Sequence, residues 1–519
     1  MNEFHAVFPQ NGNNLPHNVI YSAPLHAILK AFVCGLRGEV QLYETQLIID
    51  GRSVSPDSVS SFERRGPSSD TVVTRAAAAR ADDARQAAAA AAAAFASWAA
   101  TAPSDRAAIL ECAAALMEAG SEEIVAIACE EVGSSPEWVR FNVGIAAAML
   151  RQTRDLTDAL GAEPQTQGSY ILRRRPAGVV LGIAPWNAAV ALAVRAVAAP
   201  LACGNTVVLK GSELCPKTHE WVASLINSAG LPAGVLNYIT NAPDHAEEVV
   251  DALIAHPAVR RVNFTGSTRV GREIAVAAAR HLKPCLLELS GKGTTIVLAD
   301  ADLGLAARAA AHGSFFNQGQ ICMSTERILV VDSVADAFVD LLRTETEKLR
   351  CRPGDRPLGT LISPNAAVRI GSMVEDALAK GADLITGGEL AGGLIQPTVL
   401  DRVVPGMRIY SEEAFGPIVG IVRVGDRDEA LAIANDTEFG LVASVFTGDP
   451  KDGLAFLADI DTGIGHVNGS TVYDDPTMPF GGVKASGYGR FGGLEARREF
   501  TECQWIAVHG TTADDKNDH

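Results

Sequence analysis

Short apolar runs alternating with helical stretches dominate the chain beyond residue 160. Thr206-Val-Val-Leu-Lys210 and Val259–Phe264 read as buried strands, and Ser169–Arg173 and Gly178–Ile183 as extended segments, each followed by a helical stretch. The alternation returns after residue 290, with strands expected at Thr295–Leu298, Arg327–Val331, Ile418–Val424 and Leu441–Phe446. Strands separated by helices imply parallel sheets covered on both faces. A chain of 519 residues exceeds one ordinary core, so two α/β domains with a cleft near residues 288–322 are the simplest account.

The first third has a different texture. Arg75–Ala100 is alanine-rich, which favours helix, with Phe95 and Trp98 among its few bulky packing groups. Glu111–Cys129 continues as an amphipathic helix, and Glu137–Leu160 as another that ends at Gly161. Ahead of them, Gln46–Gly51 reads as the first strand-like segment. Residues 1–44 show no sustained period, contain the loop-forming Asn11-Gly-Asn-Asn14, and are expected to be a poorly ordered extension.

Charge and cysteine content narrow the function classes. With a net charge of −17 and no Lys/Arg run, the chain offers no field to hold a nucleic-acid backbone. No apolar run approaches the roughly 20 residues needed to span a bilayer, so a membrane is not an expected partner. Nine cysteines, without Cys-x-x-Cys pairs or zinc spacing, read as reduced thiols in a cytoplasmic protein with no metal site.

The chemistry concentrates in a few short motifs. Cys322, in Gly319-Gln-Ile-Cys-Met323, is a candidate nucleophile and is expected to be exposed, unlike Cys112 or Cys129 in their helices. Glu288, between leucines in Leu287-Glu-Leu-Ser-Gly-Lys292, would be partly desolvated, and its pKa raised into the range useful to a base. It could equally be a capping or ion-paired carboxylate. Pro185-Trp186-Asn187 and Lys210-Gly-Ser212-Glu213 each follow a strand, at the edge where open α/β sheets keep their sites, although either could be a simple turn. Phe264-Thr-Gly266-Ser267 ends a strand and opens a helix, a geometry that presents backbone N–H groups to phosphate. Gly291-Lys292 lacks the first glycine of a nucleotide-triphosphate loop.

Taken in order with Glu413-Ala-Phe415-Gly-Pro417 and Pro479-Phe-Gly-Gly-Val-Lys484, these motifs resemble the aldehyde dehydrogenase superfamily over about residues 46–506. The resemblance implies a Rossmann-like cofactor domain (45–160 and 177–289), an α/β catalytic domain (290–480), and a small β extension with the tail (161–176 and 481–519) that assembles homodimers or homotetramers. It also implies roles: Cys322 as nucleophile, Asn187 with the Cys322 backbone N–H as oxyanion site, and Glu288 as the base that activates water. Lys210 and Glu213 would bind the adenosine ribose, Ser267 the pyrophosphate, and Glu413 with Phe415 the nicotinamide riboside. Ile183, Pro185, Trp186, Ser212, Gly266, Val270 and Leu289 would complete that site. NAD is the expected cofactor because the Glu213 carboxylate would repel a 2′-phosphate, with NADP left open. Ser290, where glycine is commoner, and Gly293-Thr294, where the pattern is usually bulkier, depart from the family.

Gly319–Arg327, His466–Ser470 and Met478–Gly492 resemble the aromatic-aldehyde branch of salicylaldehyde, vanillin and benzaldehyde dehydrogenases, and Phe62-Glu-Arg64 and Ser69–Arg75 resemble the salicylaldehyde enzymes in particular. Ala188, where the family often has phenylalanine, would widen the channel for an aromatic ring, with Leu192 beside it. Arg195, two helical turns on, would either meet a ring hydroxyl or pair with a carboxylate at the domain surface. The expected substrate is thus a small aromatic aldehyde; rival readings are an aliphatic or CoA-acylating semialdehyde dehydrogenase and a catalytically silent member of the fold.

Overall fold

The computed structural model describes residues 41–55, 60–67, 69, 71–161, 164–167, 170–350, 358–391 and 394–509. The extension expected over residues 1–44 lies almost wholly outside them. Two large sheets organise the rest. The first has eight strands, and five of them, Val179–Ile183, Thr206–Lys210, Leu236–Ile239, Val259–Thr265 and Cys285–Glu288, run parallel at its centre. Their spatial order turns back at the Val179–Ile183 strand, which lies between Thr206–Lys210 and Val259–Thr265. That reversal is the topological switch point, and a crevice opens beyond the carboxyl ends of the two strands beside it. Pro185-Trp186-Asn187 leaves one of them and Gly266-Ser267 the other.

The second sheet has seven strands, with Gly293–Val297 between Thr325–Val331 and Val442–Phe446, all parallel. These central strands are fully buried, which explains their continuous apolar runs without alternation. The chain passes from the last parallel strand of the first sheet, Cys285–Glu288, to the central strand of the second within residues 289–292. The candidate base and the loop that carries Cys322 are therefore held at a sheet-to-sheet crossing.

Tyr170–Pro176 pairs antiparallel with Thr501–Ala507 and with Gln165–Gln167 in a separate three-stranded sheet. Tyr170 and Trp505 stack edge to face there, 53% and 65% exposed. No helix among the described residues is long and apolar enough to cross a membrane.

Several element boundaries differ from the sequence reading. Residues 75–77 belong to a strand, Val72–Ala77, and the helix begins at Ala81. The β-branched Val72-Val73-Thr74 pairs with Tyr43–Thr45 and Ser61–Arg65, and the sheet carries the following alanines with it. Asp82 and Asp83 mark the true first turn of the helix, where a carboxylate suits the helix dipole. The helix expected at Glu111–Cys129 is two helices, Pro103–Ala119 and Ser121–Val132, broken at Gly120. A Cβ on Gly120 would lie 2.6 Å from the Trp221 ring, so the break also sets a close helix contact.

Candidate active site

Cys322 lies in the turn that precedes the Thr325–Val331 strand, and the backbone before it is held in an unusual shape. Asn317, Gln318 and Gly319 all have positive φ, at 49°, 58° and 66°. Two successive non-glycine residues in this region are costly and persist only where surrounding contacts enforce them. Here those contacts are explicit. The Asn317 amide donates to Asn187 O at 3.1 Å, the Gln320 amide donates to Thr360 O at 3.1 Å, and Gln320 Oε1 accepts from the Ile362 N–H at 2.9 Å. A Cβ on Gly319 would lie 2.2 Å from Gly416 O, so only glycine allows the turn to close on the segment after Phe415.

The same closeness recurs on the other side of the nucleophile. A Cβ on Gly291 would sit 2.3 Å from Cys322 O, and one on Gly293 would sit 2.2 Å from Ser324 O. Gly293, unusual against the family pattern, is thus required by the local packing of this chain. Ser290 is accommodated without a positive φ, its hydroxyl accepting from the Thr268 N–H at 3.4 Å and its carbonyl from the Ser486 hydroxyl at 2.7 Å.

Between those glycines, Lys292 is fully buried and donates to Glu326 at 2.9 Å and to Glu412 O at 2.7 Å. Glu326 in turn accepts the N–H groups of Ala414 and Phe415, each at 2.8 Å. This ion pair fixes Phe415, at φ 46°, with its ring edge to face on Trp186 at 5.8 Å. Glu413 accepts the Gly291 N–H at 2.9 Å, and burial together with the Glu326 charge raises its pKa.

Glu288 ends the Cys285–Glu288 strand, completely buried. Burial lifts its pKa to about 7, offset in part by contact with the Cys322 thiol and by the Arg195 charge. Neither carboxylate oxygen has a hydrogen bond of normal geometry, which leaves both free to accept a proton. Cys322 is half-buried, facing a pocket; desolvation and then the neighbouring Glu288 charge push its thiol far above its ordinary pKa. The expectation of an exposed Cys322 and sheltered Cys112 is thereby corrected: Cys112 faces solvent on its helix. Asn187 is buried, its amide donating to Gln320 O at 3.1 Å and its carbonyl accepting from the Trp138 indole at 2.8 Å. This contact uses one of the two amide N–H groups of Asn187.

Asn187 and Cys322 both line a pocket of about 480 Å³ of empty space, open to solvent. Ala188, Ala191, Leu192 and Arg195 line it from one face of the helix Ala189–Ala202, and Trp138, Phe141 and Phe480 supply aromatic walls. Arg195 lines this pocket and pairs there with Asp474, and because both side chains are buried the pairing is not the domain-surface contact that the sequence also allowed. Trp138, Phe141 and Asp474 carried no motif in the sequence and are recognised only from their positions here.

On the opposite side of Asn187, a second set of residues sits in the switch-point crevice. Lys210 is buried, 3.5 Å from Glu213. His219 accepts the Ser212 N–H at 3.0 Å, and its ring contacts the backbone of Pro185 and Ala189; burial and Lys210 keep it neutral, with a pKa of about 3. It thereby ties the Lys210–Glu213 loop to the loop of Pro185–Ala189. Ser267 caps the helix Thr268–Arg280, accepting from Val270 N and leaving its hydroxyl hydrogen free. Leu289 closes on Gly271, where a Cβ would lie 2.4 Å away. A buried cation, a ribose-accepting carboxylate, a helix N-terminus and a glycine-tight floor at Gly211 and Gly266 fit a dinucleotide.

Comparison with known proteins decides the family. The aldehyde dehydrogenase family profile matches residues 54–506. The chain belongs to the aldehyde dehydrogenase family. It is 51% identical to a vanillin dehydrogenase of a Pseudomonas species, covering 90% of this chain and 98% of the relative. A salicylaldehyde dehydrogenase from Pseudomonas putida G7, solved in complex with salicylaldehyde, superposes with a TM-score of 0.88 at 43% identity, covering 92% of this chain and all of that one. An NAD-dependent aldehyde dehydrogenase from Sinorhizobium meliloti matches with a TM-score of 0.87 at 35% identity, covering 92% and 97%. The protein is an oxidoreductase acting on aldehydes, of a family that uses NAD(P).

Removing one partner of a buried ion pair leaves the other uncompensated, at a cost of about 3–5 kcal/mol. Glu326→Ala in this dehydrogenase is therefore expected to lower unfolding stability by about 3 kcal/mol. Chemical denaturation checks this, and a loss below about 1 kcal/mol would mean that Lys292 finds another acceptor.

Proposed function

We propose that the enzyme oxidises hydroxylated or otherwise ring-substituted aromatic aldehydes to carboxylates with NAD, salicylaldehyde-like or vanillin-like compounds being its substrate class. One observation carries the reading: the Cys322 pocket has aromatic walls and, in its lining, a single charged pair, Arg195 and Asp474. Flat rings suit such walls, and a ring substituent would meet that pair while the aldehyde faces the thiol.

In this reading the thiol proton passes to Glu288, and Cys322 Sγ attacks the aldehyde carbon to give a thiohemiacetal. The second Asn187 amide N–H and the Cys322 backbone N–H hold the oxyanion; loss of one such donor typically costs ~10²–10³ in rate. Lys210, Glu213, Ser267 and Glu413 would hold NAD, which would supply the acceptor for the hydride that leaves the substrate carbon. Phe415, fixed by Glu326, and Trp186 close the nicotinamide side against water. Glu288 gives its first proton to solvent, then takes one from the water that attacks the thioester and passes it to the departing Cys322 thiolate, while the acid formed loses its own proton to solvent and leaves as carboxylate. An intact base and nucleophile argue against a silent member of the fold, and the base argues against CoA as the acyl acceptor. Glu213 argues for NAD over NADP.

We also assign the Tyr170–Trp505 sheet to assembly of a homodimer or homotetramer, and the protein to the cytoplasm on the spacing of its cysteines. An exposed aromatic pair that reaches an edge strand, as Trp505 does, is a liability unless a second copy covers it. Trp505→Glu should shift sedimentation toward the monomer; an unchanged sedimentation coefficient places the interface elsewhere.

With Glu288 protonated below about pH 7 and ionised above it, kcat should rise through that pH and level off. Glu288→Gln removes the acceptor of the thiol proton as well as the base that activates water, so it should suppress both the burst of reduced nicotinamide and steady turnover. A variant that keeps the same pH limb and full turnover removes Glu288 from the role.

The substrate class is read by comparing kcat/KM for salicylaldehyde, vanillin, benzaldehyde and hexanal, with NAD and with NADP. Hydroxylated aromatics with NAD should lead. Arg195→Ala should cost them about tenfold more than it costs benzaldehyde, as expected for one lost charge-assisted hydrogen bond. An equal loss for both rules out contact with the ring substituent.

A further inference from the structure

Arg195 and Asp474 reach the aryl pocket from different parts of the chain, one from the helix Ala189–Ala202 and the other from the loop after the strand Ile464–Val467. Their side chains are 6% and 10% exposed. The Phe480 ring lies 3.9 Å from the guanidinium carbon and occupies one of its faces. Among the described residues that line this pocket, these two carry the only charges. Both also line a neighbouring cavity of about 420 Å³, bounded by Met149, Leu156 and Met478, so the pair forms part of the wall between two openings.

An arginine alone in the wall of an apolar pocket would draw an anion, and the natural ligand would be an aldehyde bearing a carboxylate. Asp474 reverses that preference. Its charge cancels that of Arg195, and its carboxylate faces the same space that an incoming anion would enter. Such a ligand would either sit against Asp474 or displace it from Arg195, leaving a carboxylate unpaired in a poorly solvated site. A neutral hydroxyl meets no such penalty. It can donate to Asp474, accept from an unused Arg195 N–H, or do both.

We infer that Asp474 is a specificity-determining residue: by neutralising Arg195 it makes the pocket admit aryl aldehydes with uncharged hydrogen-bonding substituents and reject those that carry a carboxylate. The assignment rests on the aromatic-aldehyde reading above, extends it to a named selecting group, and predicts which substrates the enzyme refuses. The Asp474 charge also reaches Glu288, so the test reads the ratio between substrates, in which any effect on turnover common to all of them cancels.

The test compares kcat/KM for benzaldehyde, 4-hydroxybenzaldehyde and 4-carboxybenzaldehyde in the wild-type enzyme, in Asp474→Asn, and in the doubly neutral Arg195→Gln/Asp474→Asn. In the wild type, 4-carboxybenzaldehyde should fall at least about thirtyfold below benzaldehyde. Asp474→Asn, which keeps the shape but frees the Arg195 charge, should narrow that gap by about tenfold or more, and the double variant should lose the gain. The inference is overturned if the wild type accepts 4-carboxybenzaldehyde within about threefold of benzaldehyde, or if a folded Asp474→Asn leaves the ratio unchanged. The wild-type ratio decides the matter even if the variant does not fold. Failure of the aromatic reading itself has a different signature: no turnover of any benzaldehyde while hexanal is oxidised.

Discussion

The buried pair of Lys292 and Glu326 is the constraint on which the site depends. Lys292 ends the crossing into the central strand of the second sheet, Glu326 lies in the strand that follows the Cys322 turn, and their hydrogen bonds reach Glu412, Ala414 and Phe415. One ion pair thus fixes three segments that no single element could align. The approach is too close for side chains to intervene, with Gly291, Gly293 and Gly319 each placed where a Cβ would collide with backbone within 2.4 Å. A charged pair in such a place contributes less to net stability than to uniqueness of arrangement, because desolvation offsets much of its attraction. What it secures is that the thiol, the base and the nicotinamide-side residues share one rigid frame, as tolerances on reacting groups demand.

That frame explains which parts of the site were legible in the sequence. The parallel strands were, because buried β-branched runs such as Thr206–Lys210 and Ile418–Val424 admit few alternatives. Cys322, Glu288 and Asn187 stood out only together, because each short run had a bland alternative by itself and the ordered set resembled one family. Asp474, Trp138 and His219 did not. Their significance lies in partners 279, 49 and 7 residues away, and only the last of these separations lies within reach of a helical pattern. The strand at 75–77 was hidden for the opposite reason: alanines there favour helix locally, and pairing with Tyr43–Thr45 overrides that preference.

Cys322 and Glu288 are best understood as one acid–base unit. Burial disfavours a charge on either group, and the carboxylate's charge further disfavours a thiolate beside it. Moving the thiol proton to Glu288 relocates a negative charge without adding one to the desolvated site, so the nucleophile can form when an aldehyde is in place to consume it. The same economy imposes an order. Glu288 cannot activate water while it holds that proton, so acylation must be followed by deprotonation before hydrolysis, and the base serves two steps in sequence with one vacancy.

Charge compensation extends this logic to both ends of the site. The chain carries a net charge of −17, yet it must receive a dinucleotide that is itself an anion. Screening confines the repulsion to about 8 Å in physiological salt, so the choice of ligand falls to groups within the crevice. On the cofactor side, Lys210 faces Glu213 at 3.5 Å, and the helix N-terminus at Ser267 adds its dipole: the diphosphate meets positive potential, while a further phosphate on the ribose would meet a carboxylate. On the aldehyde side, Arg195 faces Asp474 with no helix terminus to tip the balance, so that part of the pocket lining is polar but neutral. Two pairs of opposite charges therefore do different work. The one supplemented by a dipole accepts an anion of defined size, and the one left to itself favours a ligand that brings hydrogen bonds and no charge.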